Sequence, residues 1–201
     1  DITVTFTIRA VAAGCNSNNA TVVITVKPRP QINVTNNNQS ICHNSAMTTM
    51  NISTNLTGTT SYSWARTNGD SITGNIRGIA ASGTGNLPTN ISGTLTNHTT
   101  STQTTVFTIN VENANGCTNT TTASITVYAP LVAPVIGDSQ NVCVGQTPAA
   151  FYMTTPVTGG SGSYTYQWQV KTRNWFFGWS GWSEWSNVAG ATNPTYQPNA
   201  P

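Results

Sequence analysis

One segment of this chain occurs twice. Phe6 to Pro28 reads FTIRAVAAGCNSNNATVVITVKP, and Phe107 to Pro130 reads FTINVENANGCTNTTTASITVYAP, about 101 residues further on. QSIC ending at Cys42 returns as QNVC ending at Cys143, and SYSW ending at Trp64 returns as TYQW ending at Trp168. Self-similarity at a fixed period fixes the architecture before any element is placed, because each period must be one folding module. A period near 100 residues is the size of a single β-sandwich.

Local pattern agrees. Ile2-Thr3-Val4-Thr5-Phe6-Thr7-Ile8 and Val106-Phe107-Thr108-Ile109-Asn110-Val111 alternate apolar and polar residues. Such alternation, with β-branched side chains, predicts half-buried antiparallel strands. No stretch carries a 3.6-residue period, and turn residues interrupt the chain about every ten positions, as in a sandwich. The expectation is an all-β chain of tandem immunoglobulin-like or PKD-like sandwiches. The complete unit runs 30–129, with strand A near Ile32–Thr35, B near Met47–Thr54 and C near Tyr62–Arg66. Middle strands fall between Ile72 and Leu95, then F near Thr105–Val111 and G near Thr121–Val127. Residues 1–29 hold only the last two strands, F and G, of a unit; residues 130–201 hold only the earlier strands. The two fragments make up one more unit. The expected arrangement is one period of a repeating polymer, completed by the next copy through covalent continuation or strand donation, since unpaired edges would invite aggregation.

Charge narrows the function. Only 6% of residues are charged, with seven Lys+Arg against five Asp+Glu. A nucleic-acid surface needs clustered basic residues, and these are scattered. No apolar run approaches the ~20 residues of a membrane span. The acids (Asp1, Asp70, Glu112, Asp138, Glu184) are too far apart in sequence for a calcium loop, and no GxSxG elbow supports a nucleophile. There is no CxxC pair, and His43 and His98 are distant, which argues against zinc. No catalytic residue, metal or cofactor is expected.

NVCVGQTPAAF (Asn141 to Phe151), SYTYQWQV (Ser163 to Val170), WSNVAGATNPTYQP (Trp185 to Pro198) and ENANGCTNT (Glu112 to Thr120) resemble the PKD-like and Ig-like repeats of surface proteins of gliding and related Bacteroidota. Those proteins are exported by the type IX secretion system. The resemblance implies a long cell-surface adhesin or filament of the gliding-motility kind, located outside the cell and without catalytic residues. Its partners would be further copies of itself end to end, bundled laterally where low charge permits. A donor-strand pilus subunit and a carbohydrate- or protein-binding module are the alternatives.

The chain departs from that family at NWFFGWSGWSE, Asn174 to Glu184. Trp175, Phe176, Phe177, Trp179 and Trp182 form a candidate contact patch for glycans or a protein partner. The string WSGWSEW resembles the Trp ladder of thrombospondin-type repeats, where a cation from Lys171 or Arg173 would stack on indole rings. The alternative is a hairpin that packs its aromatics internally. The four cysteines fall at the F–G turn (Cys15, Cys117) and ahead of strand B (Cys42, Cys143). An oxidising setting favours disulfides. Topology favours bonds between domains or copies, Cys42 to Cys15 and Cys143 to Cys117 of the next copy, with Cys42–Cys117 as the other pairing. Sequons at Asn33, Asn51, Asn55, Asn90 and Asn97 are candidate N-glycosylation positions. The Asp70-Ser71-Ile72 pattern makes Ser71 an O-glycosylation candidate by the resemblance.

Overall fold

The computed structural model describes residues 1–58, 60–67, 75–137, 139–176 and 179–200, with side chains described outside 174–180. The described residues are all-β, without a helix. The chain divides into two units: Asp1–His98 with Gln103–Val127, and Thr99–Thr102 with Tyr128–Pro201.

The first unit begins with a ribbon of four strands, β1 (Ile2–Ile8), β2 (Val11–Ala12), β3 (Cys15–Asn16) and β4 (Ala20–Val26). β1 pairs antiparallel with β4, setting Ile2 opposite Val26, Val4 opposite Ile24 and Phe6 opposite Val22. Side chains alternate across a strand, so these residues share one face. That face is unpartnered: every residue of both strands is exposed.

A two-sheet sandwich follows. Its strands are β5 (Ile32–Val34), β6 (Asn38–Ile41), β7 (Ser45–Thr54), β8 (Thr60–Arg66), β9 (Ile76–Arg77), β10 (Ser82–Asn86), β11 (Thr89–Asn97), β12 (Gln103–Asn113) and β13 (Thr118–Val127). One sheet has the order β10-β8-β12-β13-β6 and the other β5-β7-β11-β9, an arrangement consistent with the immunoglobulin-like class of β-sandwich. The inward residues of both sheets form one core: Met50, Ile52, Ile76, Leu95, Phe107, Ile109, Ile125 and Val127 are fully buried. Trp64 lies 5.4 Å from the Phe107 ring and takes the place of a sandwich's core indole.

Two features of this core escape hydrophobic patterning. Arg66 is buried, and its guanidinium donates to the carbonyls of Ala80, Ile76 and Ile79 at 3.0, 3.1 and 2.6 Å. Burial pulls this guanidinium below the ordinary arginine range, because desolvation disfavours the charged form. Gly83 lies opposite Trp64, and a Cβ there would come 2.6 Å from the indole nitrogen. The bare backbone is what lets the ring lie across β10.

The second unit carries β14 (Ala129–Val132), β15 (Val135–Ile136), β16 (Met153–Thr155), β17 (Thr158–Gly160), β18 (Gln169–Val170), β19 (Arg173–Phe176), β20 (Trp179–Trp182) and β21 (Ser186–Asn187). They form only two-stranded pairs: β14 with β17, β15 with β16, β18 with β21, and β19 with β20. The apolar residues Leu131, Val132, Val135, Ile136 and Val144 are all exposed.

Candidate functional site

The second unit retains the corner of the complete sandwich, residue for residue. In the sandwich, the Gln39 side chain brackets the next strand: Nε2 donates to Thr48 O and Oε1 accepts from Thr48 N, each at 2.8 Å. Gln140 makes the same pair of bonds with Ala149, at 3.0 and 2.7 Å. Met50 pairs with Ile91 between β7 and β11. Its repeat counterpart, Phe151, pairs with Tyr196, with backbone bonds of 2.8 and 3.0 Å. Asn44 and Gly145 both take positive φ at the equivalent turn.

Among the described residues, the second unit shows no counterpart to β12 and β13. An open groove of about 960 Å³ lies there, lined by Ile136, Gln140, Val142, Phe151, Trp168 and Tyr196 among others. The Trp168 ring lies 6.1 Å from Phe151 and 5.7 Å from Tyr196. Its indole N–H donates to Asn193 O at 2.9 Å, which fixes the ring in the groove wall. Aromatic rings so arranged present a large apolar surface.

The missing shape is present elsewhere in the chain. β12 and β13 bury Phe107, Ile109, Ile125 and Val127 at 0% exposure, whereas their repeat counterparts on the ribbon, Phe6, Ile8, Ile24 and Val26, are 54%, 73%, 51% and 52% exposed. Two copies of one hairpin therefore stand in opposite states, one at the centre of a five-stranded sheet and one bare.

The cysteines are unpaired within the chain; Cys15, Cys42 and Cys143 are exposed and Cys117 is half-buried. Ile41 lies beside Val127, at the far end of β13, while Cys117 sits in the turn that begins this strand. A ten-residue strand spans about 30 Å, and a disulfide tolerates about 7 Å between Cα atoms. The pairing Cys42–Cys117 is therefore excluded by topology.

Of the sequon residues, Asn33, Asn51, Asn55 and Asn90 are exposed. Asn97 is not a glycan position: it is fully buried and its amide donates to Val127 O at 2.9 Å. Ser71 and Phe177 lie outside the described residues, as do the side chains of Trp175, Phe176 and Trp179, whose backbones run in the β19–β20 hairpin. Trp182 and Trp185 are 59% and 58% exposed. The Lys171 ammonium lies 4.9 and 4.6 Å from their ring centroids, and the Arg173 guanidinium 6.0 Å from the Trp182 ring. These are cation–π contacts, and they leave much of both indoles in water. Among the described residues, no three His, Cys, Asp or Glu gather as a metal site would require.

No protein-family model matches the chain, and no curated protein matches it.

Proposed function

We propose that the chain is a non-enzymatic structural repeat of a long extracellular filament or cell-surface adhesin, contributing two immunoglobulin-like sandwiches per period. The β1–β4 ribbon of one copy fills the open groove of residues 130–201 in the preceding copy. The observation that carries this reading is the pair of opposite states: the buried β12–β13 hairpin and its bare repeat, beside a groove lacking that hairpin.

The repeat supplies the register. Phe107 lies opposite Arg66 and Ile109 opposite Trp64; by the repeat, the proposed junction would set Phe6 opposite Val170 and Ile8 opposite Trp168 of the neighbour. Ile125 lies beside Gln39 and Val127 beside Ile41; the same junction would set Ile24 beside Gln140 and Val26 beside Val142. Each large apolar side chain moved from water into the groove contributes about 1.5–3 kcal/mol at full burial, and ribbon edges are paired rather than left open. Covalent continuation and strand donation between separate copies make the same junction. The mass of the intact reduced polypeptide from its source separates them: many times 21.2 kDa for an array, near 21.2 kDa for subunits.

The function itself is tested with Ile8→Asp in the full chain. A charge in a closed apolar groove is strongly unfavourable, so end-to-end assembly is lost while the 32–127 sandwich keeps its melting transition. Filaments of undiminished length from this variant would refute the reading.

A second reading rests on Trp182 and Trp185. Exposed indoles held by Lys171 form a platform suited to sugar rings or a partner's aromatic surface. Glycan-array binding lost in Trp182→Ala, in an assembled filament, would support it; unchanged binding would count against it. The export route implied by the resemblance to type IX-secreted adhesins belongs to this proposal, as do glycans on the exposed Asn33, Asn51, Asn55 and Asn90.

A further inference from the structure

We infer that the junction between copies is closed by a disulfide from Cys143 of one copy to Cys117 of the next. This rests on the completion of the groove by the ribbon proposed above.

Two sets of contacts bring these thiols together. The first is within one copy. The turn that carries Cys117 grips the chain just after the ribbon: Arg29 donates through Nε and Nη2 to Thr118 O at 3.1 and 3.0 Å. Asn119 Nδ2 donates to Pro30 O at 2.8 Å. Asn113 joins the two segments through one amide, its Nδ2 donating to Pro28 O at 3.1 Å and its Oδ1 accepting from Cys117 N at 3.0 Å. The ribbon's exit therefore runs past Cys117.

The second set lies across the junction. The repeat places Val26 of one copy beside Val142 of its neighbour, as Val127 lies beside Ile41. Cys143 then follows alongside Lys27, one interstrand step of about 4.8 Å away. From Lys27 the chain reaches Pro28, and one side-chain amide links Pro28 to Cys117. Only Lys27, Pro28 and the Asn113 amide separate the two cysteines along this path, and the bond forms where the Lys27–Pro30 linker brings their Cα atoms within the roughly 7 Å that a disulfide accepts. Both positions suit the chemistry: Cys143 is exposed at a tight turn closed by Gln146 N to Cys143 O at 3.0 Å, and Cys117 is half-buried.

The oxidant is a small-molecule or protein disulfide. The Cys143 thiolate attacks it, forming a mixed disulfide and releasing one thiol. The Cys117 thiolate then attacks the Cys143 sulfur and releases the second thiol. Two protein thiols lose two protons and two electrons, and the acceptor disulfide gains them.

The test uses the 201-residue chain, assembled first in reductant and then exposed to oxidised glutathione. Filament length is read by electron microscopy in both states, and bonds are read by non-reducing gel and peptide mapping after alkylation. The expected result is filaments in either state. Oxidation adds a ladder at multiples of the monomer mass, a Cys143–Cys117 linked peptide, and loss of that peptide and of its share of the ladder in Cys117→Ser. Filaments whose Cys143 and Cys117 stay alkylatable, or a Cys143–Cys117 bond in a species of monomer mass, would overturn the staple while leaving the assembly reading intact. Absence of filaments in reductant, with no ladder on oxidation, would overturn both.

Discussion

Phe6→Ala and Phe107→Ala remove the same side chain from the same position of the repeat, and the structure assigns them different consequences. Phe107 is fully buried and touches Trp64, whereas Phe6 is 54% exposed. Truncating a buried Phe costs about 3–5 kcal/mol, from lost transfer energy and the cavity left behind. Truncating Phe6 in a separate copy forfeits only its residual burial, about 1 kcal/mol on the scale for burying a whole side chain. For a domain near 100 residues, about 4–8 °C of melting temperature accompanies each kcal/mol. Phe107→Ala is thus expected to lower the transition of the unassembled chain by at least about 12 °C, and Phe6→Ala, whose strand contributes nothing to the buried core, by no more than about 4–8 °C. In the proposed filament the asymmetry would disappear: Phe6 would lie opposite Val170 in a closed core, and the junction is expected to lose an additional ~2–4 kcal/mol. At 1.4 kcal/mol per decade, the association constant falls about 30- to 700-fold. Calorimetry on the unassembled chain and a critical concentration from sedimentation read the two halves of the comparison. Equal destabilisation of the unassembled chain by both variants, or a critical concentration unmoved by Phe6→Ala, would refute the reasoning.

Three further outcomes follow from single contacts. Arg66→Met strips three carbonyls of their charged donor, and urea unfolding is expected to show a loss of about 3 kcal/mol, since buried acceptors left unsatisfied cost about 1–3 kcal/mol each, less where water reaches them. Gly83→Val drives a branched side chain into the Trp64 indole; overpacking of this kind costs about 1–3 kcal/mol, and a shift in Trp fluorescence should accompany it. Gln140→Leu removes both bonds to Ala149 and is expected to weaken assembly by about 1–2 kcal/mol, as Gln39→Leu weakens the 32–127 sandwich itself.

The strands most legible in the sequence are those with a strong apolar pattern, alternating in β12 and interrupted once in β7, where Met47 and Met50 are both buried three positions apart. β7, β8, β12 and β13 fall where the pattern of Met47–Thr54, Tyr62–Arg66, Thr105–Val111 and Thr121–Val127 placed them. β10 was harder to place, because Ser82–Asn86 carries no apolar residue; its glycines lie against Trp64 and Tyr62, and burial there is contributed by the neighbouring strand. β6 also lacks an alternating apolar signal. The repeated Gln of QSIC and QNVC is nevertheless visible, and each makes a pair of hydrogen bonds with the backbone of Thr48 or Ala149. Asn97 shows the limit of a motif: the sequon is intact, but the strand register turns the amide inward to Val127. A buried Arg66 in a chain so poor in charge had no sequence signal, because its partners are backbone carbonyls rather than acids. The groove could not be read from local pattern at all. It emerges only when residues 130–201 are compared with the complete sandwich.

The most direct measurement joins residues 130–201 to residues 1–29 in one polypeptide, in that order, and follows amide hydrogen exchange through denaturant. The account predicts one cooperative transition of a ~100-residue sandwich, with the amides of Phe6, Ile8, Ile24 and Val26 among the most protected. A chain without a cooperative transition, or one in which those four amides exchange as freely as in an isolated ribbon, would contradict it.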